Sequence, residues 1–335
     1  MKKSVITVRE IVKWGILGLI LGLSLLHLFG NKAVWAPLDA YCPFGGLESS
    51  WKLIFQGGFL EKTQPSNLAL GLGLILVTLL FGGIFCGWIC PLGTLQDGLN
   101  KLGRFLKLPQ IKISKDFDRY LRFLRYPVLV LVLFESFHLV KLWFADYDPF
   151  RIIFGLHWIA EPSSILMAGW IIGIGFLLLS LVWRRFWCKY LCPLGLVVQW
   201  LSKISWLKIR WQKSECISCD LCNKKCPLAL NVQNAKLNTS PCNNCLECAA
   251  HCPQPEALQY NTPRGARKQN RPLTVAVSGV IFFGLILISA QLAGWWNPKI
   301  TDDPENIKGW MTLGNIAETY HIPISEIKKE LNLPA

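Results

Sequence analysis

The chain has 335 residues, of which 52% are hydrophobic and only 17% charged, and its formal net charge is +14. A soluble protein of this size carries roughly 25% charged residues, so disordered, collagen-like and ordinary cytosolic single-domain classes are excluded. In a membrane protein the basic excess first reports which side the positive residues occupy, and no nucleic acid is expected as a partner.

In chain order, five apolar stretches near 14–30, 67–85, 126–144, 164–183 and 272–296 suit a bilayer-crossing helix, which needs about 20 residues. Lys2 and Lys3 precede the first stretch as in a signal peptide, but Arg9 and Glu10 interrupt it and no A-x-A site follows, so a retained span is expected. With the N-terminus inside, residues 1–13, 87–126 and 184–271 hold 26 of the 35 Lys and Arg. The positive-inside rule makes those segments cytoplasmic and the tail after Trp296 extracytoplasmic, in a multi-pass protein of a bacterial-type cytoplasmic membrane.

A repeat organises the membrane part. Phe-Cys-Gly-Trp-Ile-Cys-Pro-Leu-Gly at 85–93 matches Trp-Cys-Lys-Tyr-Leu-Cys-Pro-Leu-Gly at 187–195, and Tyr-Cys-Pro-Phe at 41–44 matches Tyr-Asp-Pro-Phe at 147–150. Each half reads as helix, outer turn, helix and C-x3-C-P-L-G, a parallel repeat whose interface is a common place for functional sites. The expected fold is an all-α integral membrane protein of about five transmembrane helices in a tandem two-helix repeat, with a small α+β ferredoxin insert. Its parts are a first repeat at 1–107, a second at 108–211, the insert at 212–260, a basic linker with the fifth span at 261–297 and a small helical tail at 298–335.

The strongest chemical signal is a pair of C-x2-C-x2-C-x3-C-P runs, with Cys216, Cys219, Cys222 and Cys226 in one and Cys242, Cys245, Cys248 and Cys252 in the other. In bacterial-type ferredoxins three close thiolates hold one 4Fe-4S cluster and the fourth crosses to the other. Cluster one is therefore expected on Cys216, Cys219, Cys222 and Cys252, and cluster two on Cys242, Cys245, Cys248 and Cys226. Paired zinc sites are the alternative, but the third cysteine and the following proline favour iron–sulfur. In the two C-x3-C motifs, Cys86 and Cys90 share a helix face, as do Cys188 and Cys192. Three readings stay open there: a third iron–sulfur cluster or other metal, a redox-active disulfide relay, or buried cysteines acting as small hydrophobes. The amphipathic runs at 94–107 and 196–211 are expected along the inner headgroup region.

On the outer side the repeat places His27, His138, Cys42 and Asp148 in related positions, and Glu135 stands three residues before His138 inside a span. Intramembrane carboxylates usually face a functional cavity. Glu135 and His138, with His27, form a candidate quinone site at which a hydroquinone gives up protons. The bland alternative is interfacial histidines bonded to backbone. Cys42 and Asp148 are candidates for a metal site, a thiol contact or packing.

These motifs together resemble the polyferredoxin-like membrane 4Fe-4S proteins of the NapH/NosR/CcoG type, over roughly residues 10–260. The resemblance implies a membrane protein that passes electrons between quinol and redox partners, or supports a metalloenzyme outside. It carries over to Cys86, Cys90, Cys188, Cys192 and the eight ferredoxin cysteines. The chain departs from that pattern in lacking a large outer flavin-binding domain and in adding a fifth span and a tail.

The tail reads as short helices, with Thr312 and Ser325 as caps and Ile316 and Ala317 as an apolar side. Its topology makes it a docking module rather than a DNA-binding helix-turn-helix. Nucleotide-phosphate, Rossmann, covalent-haem and zinc-protease motifs are absent. The expected function is membrane iron–sulfur electron transfer, probed first as a quinol dehydrogenase component. An assembly factor for an extracytoplasmic metalloenzyme and a redox regulator are the alternatives. Expected partners are the bilayer, a quinone and a redox protein on either side.

Overall fold

A computed structural model describes residues 2–30, 38–56, 65–111, 113–138, 144, 147–156, 167–233, 242–261, 272–294 and 327. Of the tail expected at 298–335 only residue 327 is described, and Thr312, Ile316, Ala317 and Ser325 lie outside the described residues. The chain is mostly helical. Helix α1 is Lys2–Phe29, and after a short turn at Leu38–Tyr41 come α2 (Pro43–Gln56) and α3 (Pro65–Phe81). The first C-x3-C motif leads into α4 (Pro91–Phe105), followed by α5 (Lys115–Leu121), α6 (Arg125–His138), α7 (Pro149–Phe154) and α8 (Met167–Val182). The second motif forms α9 (Phe186–Tyr190) and α10 (Pro193–Ser202). Strand β1 (Lys208–Trp211), α11 (Leu221–Lys225), α12 (Glu247–His251) and β2 (Leu258–Asn261) make the ferredoxin segment, and α13 (Pro272–Leu292) ends the described chain.

Two helices, α1 and α13, are long and apolar enough to cross a membrane. Helices α3, α6 and α8 coincide with the other three expected spans but are shorter. Four of these five helices expose a stripe of large apolar residues at helical spacing: Ile11, Leu19 and Phe29; Leu72, Leu76 and Leu80; Ile171, Ile174 and Leu178; Ile281, Leu285, Ile288 and Leu292. On α6 the exposed apolar residues are Val130, Leu131 and Phe134. Apolar surface this extensive marks an apolar partner phase or another protein.

The ferredoxin segment is closed by an antiparallel pairing of β1 with β2, in which Ile209 stands opposite Tyr260 and Trp211 opposite Leu258. These strands bracket both cysteine runs, so the sheet fixes the segment's two ends at one place. Its entry is pinned to the helical body by Trp206 N and Leu207 N, which donate to Leu79 O and Leu80 O at the end of α3.

Helix α4 is amphipathic in the inverted sense. It buries Thr94, Gln96, Asp97 and Asn100 and exposes Leu102 and Phe105. The polar face has an ionic reason to be inside. Asp97 accepts from Arg185 Nε at 2.9 Å and Nη2 at 2.7 Å, from Lys13 Nζ at 2.9 Å and from Arg9 Nη2 at 3.4 Å. Arg9 also donates to Glu247 at 2.7 Å and to Gly87 O at 3.1 Å. Arg9 and Glu10, which in the sequence only interrupt the first span, are thus part of a helix that starts at Lys2, because the charges are neutralised within the fold. Burial opposes ionisation of Asp97, but Arg185, Lys13 and Arg184 outweigh it and hold the carboxyl well below the usual carboxylate range.

Replacing Asp97 with Ala leaves Arg9, Lys13 and Arg185 buried without their shared partner. Breaking a buried pair from one side costs about 3–5 kcal/mol, so Asp97→Ala is expected to lower the unfolding free energy by that order in detergent micelles. A loss below about 1 kcal/mol, the scale of a surface pair, would contradict the assignment.

Candidate iron-sulfur centres

The two ferredoxin runs adopt the same loop. Ser218 and Asp220 in the first have φ of 54° and 58°, and Asn244 and Leu246, at the matching places in the second, have 47° and 62°. Left-handed backbone costs roughly 1–2 kcal/mol per non-glycine residue. Its recurrence at matching positions therefore indicates a geometry held for a purpose. Alternating handedness points successive N–H groups into one concavity, which suits a negatively charged guest. Each loop runs into a one-turn helix, α11 or α12, and ends on a cysteine in extended conformation, Cys226 or Cys252. The proline that follows each of them bars that residue from the helical region.

The crossed pairing is visible in the placement of the thiols. A small open pocket is lined by Cys216, Cys219 and Cys222 of the first run and Cys252 of the second, with Trp211 and Leu258 among its walls. Cys248 is pushed well above its usual range by burial first and then by Cys242, Cys245 and Cys226. Burial followed by Cys245 pushes Cys242 up to about 12. Four thiolates gathered in such a place need compensating positive charge, which ferric and ferrous iron supply.

The C-x3-C motifs form a third gathering. In both, the second cysteine's N–H reaches back five residues: Cys90 N donates to Phe85 O and Cys192 N to Trp187 O, each at 2.9 Å. Cys90 and Cys192 then start α4 and α10 in matching extended conformations, with proline at the first helical position. Burial raises all four thiols. Cys86 is also raised by Cys90 and Cys188, and Cys192 by Cys188, Cys86 and Cys90, so the two motifs meet. The positive charge at this layer is Arg185, completely enclosed, whose Nη1 donates to Cys86 O at 3.4 Å and which lowers both Cys86 and Cys188. Arg185 itself has φ of 53°, a strained conformation fixed by its two bonds to Asp97.

Whether these sets suit iron–sulfur clusters can be judged from polar atoms that have no protein partner. Among the described residues, the buried side-chain nitrogens without a hydrogen-bond acceptor include Gln96 Nε2, Asn243 Nδ2 and Trp211 Nε1. Gln96 stands at Cys188, whose Sγ donates to its Oε1 at 3.2 Å. Asn243 lies in the Cys242–Cys245 loop, and Trp211 lines the cavity of the first set. Each cysteine set thus has an orphaned N–H donor at or beside it, and a buried donor costs about 1–3 kcal/mol when unsatisfied. Thiolate and inorganic sulfide are acceptors, so all three sets fit the group. Among the described residues, no three His, Cys, Asp or Glu side chains are close enough to share one ion.

The outer candidates are placed differently from the cysteines. His138 is exposed and its ring lies 4.4 Å from that of Phe134, while Glu135 and His27 are half-buried. A carboxylate buried more deeply than any of these is Glu48 on α2, only 2% exposed, which accepts from Ser136 Oγ at 2.8 Å. Asp148 caps α7 by accepting from Phe150 N at 3.0 Å, and Cys42 O accepts from Asn67 Nδ2 at 2.9 Å. Both turns fold inward: Tyr41, Cys42, Phe44 and Phe150 share one apolar cluster with Leu92, Trp187, Cys90 and Cys192. Asp148 is close enough to act electrostatically on both Glu48 and Cys90. Glu48, Gln96, Asp97 and Arg185 are the residues that sequence reasoning passed over. The only signal for Glu48 was an acidic residue in an otherwise apolar helix opened by Tyr-Cys-Pro-Phe.

The model of the 4Fe-4S binding domain family matches the chain twice, over residues 63–109 and 165–214, each match enclosing one C-x3-C motif. The Methanocaldococcus jannaschii protein MJ0750 is 31% identical over 206 residues, 61% of this chain and 82% of that protein. YccM of Escherichia coli is 26% identical over 280 residues, 79% of this chain and 76% of that protein. The ferredoxin-type protein NapH of Haemophilus influenzae is 30% identical over 192 residues, 53% of this chain and 60% of that protein. The chain belongs to this family of polyferredoxin-like 4Fe-4S proteins. No solved structure matches it. Iron–sulfur binding of ferredoxin type comes with that membership, and a membrane-associated electron-transfer or redox accessory role is the function consistent with it.

Two outcomes test this layout. In the metal-free protein Cys216, held below its usual range chiefly by the nearby Trp211 N–H, which faces it without a full hydrogen bond, is more thiolate than Cys242 at any pH between 7 and 10. Iodoacetamide is therefore expected to label Cys216 well before Cys242 at pH 8, and mass spectrometry showing the reverse order would refute the two environments. Removing the Gln96 amide as Gln96→Leu takes a donor from the C-x3-C layer. It should lower the reduction potential of any centre there and leave the two ferredoxin signals in place.

Proposed function

We propose that this protein carries electrons between a quinone pool and a redox partner, through clusters held by twelve of its thirteen cysteines. One observation carries the reading: three four-cysteine sets, each with an orphaned donor, lie in a single packed body. Its supporting frame is a five-span membrane part, α1, α3, α6, α8 and α13, built as two parallel repeats. In this reading the ferredoxin segment is cytoplasmic, where the basic residues concentrate, and the tail is extracytoplasmic.

The eight ferredoxin cysteines hold two 4Fe-4S clusters, and Cys86, Cys90, Cys188 and Cys192 hold a third. Bound clusters supply one-electron redox chemistry. The protein's own residues exclude water from the second and third sets, offset thiolate charge with Arg185 and direct N–H groups at sulfur.

Oxidation of a quinol releases two electrons and two protons, so the electrons need acceptors and the protons need a base. Glu48 suits the second role better than Glu135. It is more buried, and burial makes its carboxyl hold a proton more tightly than in water. Asp148 adds a second carboxylate between Glu48 and Cys90. His138 and Glu135, at the end of α6, remain the candidate outer entrance to that path.

The test is anaerobic protein in nanodiscs, with cluster reduction followed by electron paramagnetic resonance on addition of a menaquinol analogue. Wild-type clusters are expected to become reduced, and Glu48→Gln to slow this by about 100-fold, the lower scale of general base catalysis, with iron content unchanged. Normal rates in both Glu48→Gln and the Glu135→Gln, His138→Ala double variant would remove the quinone site from this path.

A further inference from the structure

The ferredoxin loop Cys242–Cys245 lies on the first C-x3-C motif with almost no side chain between them. A Cβ at Gly83 would stand 2.7 Å from Cys242 O and 2.8 Å from Asn243 Cα, and one at Gly82 would stand 2.6 Å from Asn244 Nδ2. At Gly87 it would overlap Asn243 O and lie 3.2 Å from Cys245 Cα. Gly82 also has φ of 68°, which favours glycine independently. Hydrogen bonds lock the contact: Asn244 Nδ2 donates to Phe81 O at 2.7 Å, and buried Trp88 Nε1 donates to Asn244 O at 3.1 Å. Arg9 bridges it by donating to Gly87 O and to Glu247 in α12.

The second motif meets the ferredoxin segment differently. At the positions 102 residues on, Gly82, Gly83 and Gly87 become Arg184, Arg185 and Lys189. Arg184 reaches the segment only by its long side chain, Nη1 donating to Lys225 O at 3.5 Å and Nη2 lying 3.8 Å from Glu247, while Arg185 turns to Asp97 and Lys189 pairs with Asp118. The two motifs keep the same cysteine and proline positions but diverge where one meets the ferredoxin loop.

We propose that Gly82, Gly83 and Gly87 form a close-packed backbone docking seam that orders the electron path. The seam sets the second cysteine set beside Cys86 and Cys90, and leaves the first set, with exposed Cys219 and Ile217, as the terminus for a soluble partner. Tunnelling falls steeply with distance, so the order of the sets is the order of transfer. Each transfer moves one electron, oxidising one centre as it reduces its neighbour, and neither bonds nor protons change. The inference rests on the proposed third centre but not on quinone chemistry.

The test uses the full chain in nanodiscs, reduced with dithionite. Gly83→Ala and Gly87→Ala are expected to keep their iron and sulfide, to lose the spin–spin broadening between the second ferredoxin signal and the C-x3-C signal, and to exchange the 243–246 amides faster. Trp88→Phe, which removes one bond without adding bulk, should weaken both effects. Gly175→Ala, whose Cβ meets nothing within 4 Å, should change neither. Undiminished broadening together with unchanged exchange in Trp88→Phe and in either assembled alanine variant would overturn the seam. If the wild type gives no C-x3-C signal, the third centre fails, and amide exchange alone still decides whether the seam docks the loop.

Discussion

Asp97 is the constraint around which the layer joining α1, α4 and the second C-x3-C motif is built. Buried charge is tolerated only when paired, and Asp97 gathers cations from α1 and from the second motif at one point inside α4. Two unit charges about 4 Å apart attract by roughly 4 kcal/mol at an effective dielectric of 20. That is large beside the few kcal/mol separating correct from slipped packing of short helices. Glu247 extends the network into the ferredoxin segment, so α1, α4 and that segment share one set of ions.

Arg9, Lys13 and Arg185 are matched by three carboxylates, Asp97, Glu247 and Glu10, and Arg184 lies at the network's edge. Arg185 is the cation of this network that acts on the C-x3-C thiols, which burial raises. Arg185 is thereby linked to three features at once: a strained left-handed turn, a carboxylate clamp and the first cysteine of the opposite motif. The same logic recurs more weakly in the second repeat, where Arg125 donates to Gln199 at 2.8 Å, Gln199 standing 102 residues after Asp97, and is influenced by Cys192.

The sequence made the eight ferredoxin cysteines legible because their ligand spacing is local and survives without any knowledge of packing. Lys2–Phe29 and Pro272–Leu292 were legible as long apolar runs, and the C-x3-C pair through its repetition. The Asp97 network was not, because its bonds join residues 84 and 88 positions apart, and single charges in inner loops look like topology markers. Helix α4 was legible as amphipathic, but which face turns into the fold was not: it is the polar one, with Gln96 and Asp97. Glu135 drew attention as a carboxylate inside a span, yet the fold buries Glu48, from a helix that sequence reading treated as an outer turn.

The central claim is that three four-cysteine sets in this one body each hold a cluster. Mössbauer spectroscopy of anaerobically purified, iron-57-enriched protein tests it most directly, by comparing the wild type with a Cys90→Ser, Cys192→Ser variant. The account predicts wild-type iron sufficient for three cubes and loss of one third of that spectrum in the variant, with the ferredoxin components unchanged. Iron for only two cubes, and a spectrum that does not change when those cysteines are removed, would contradict it.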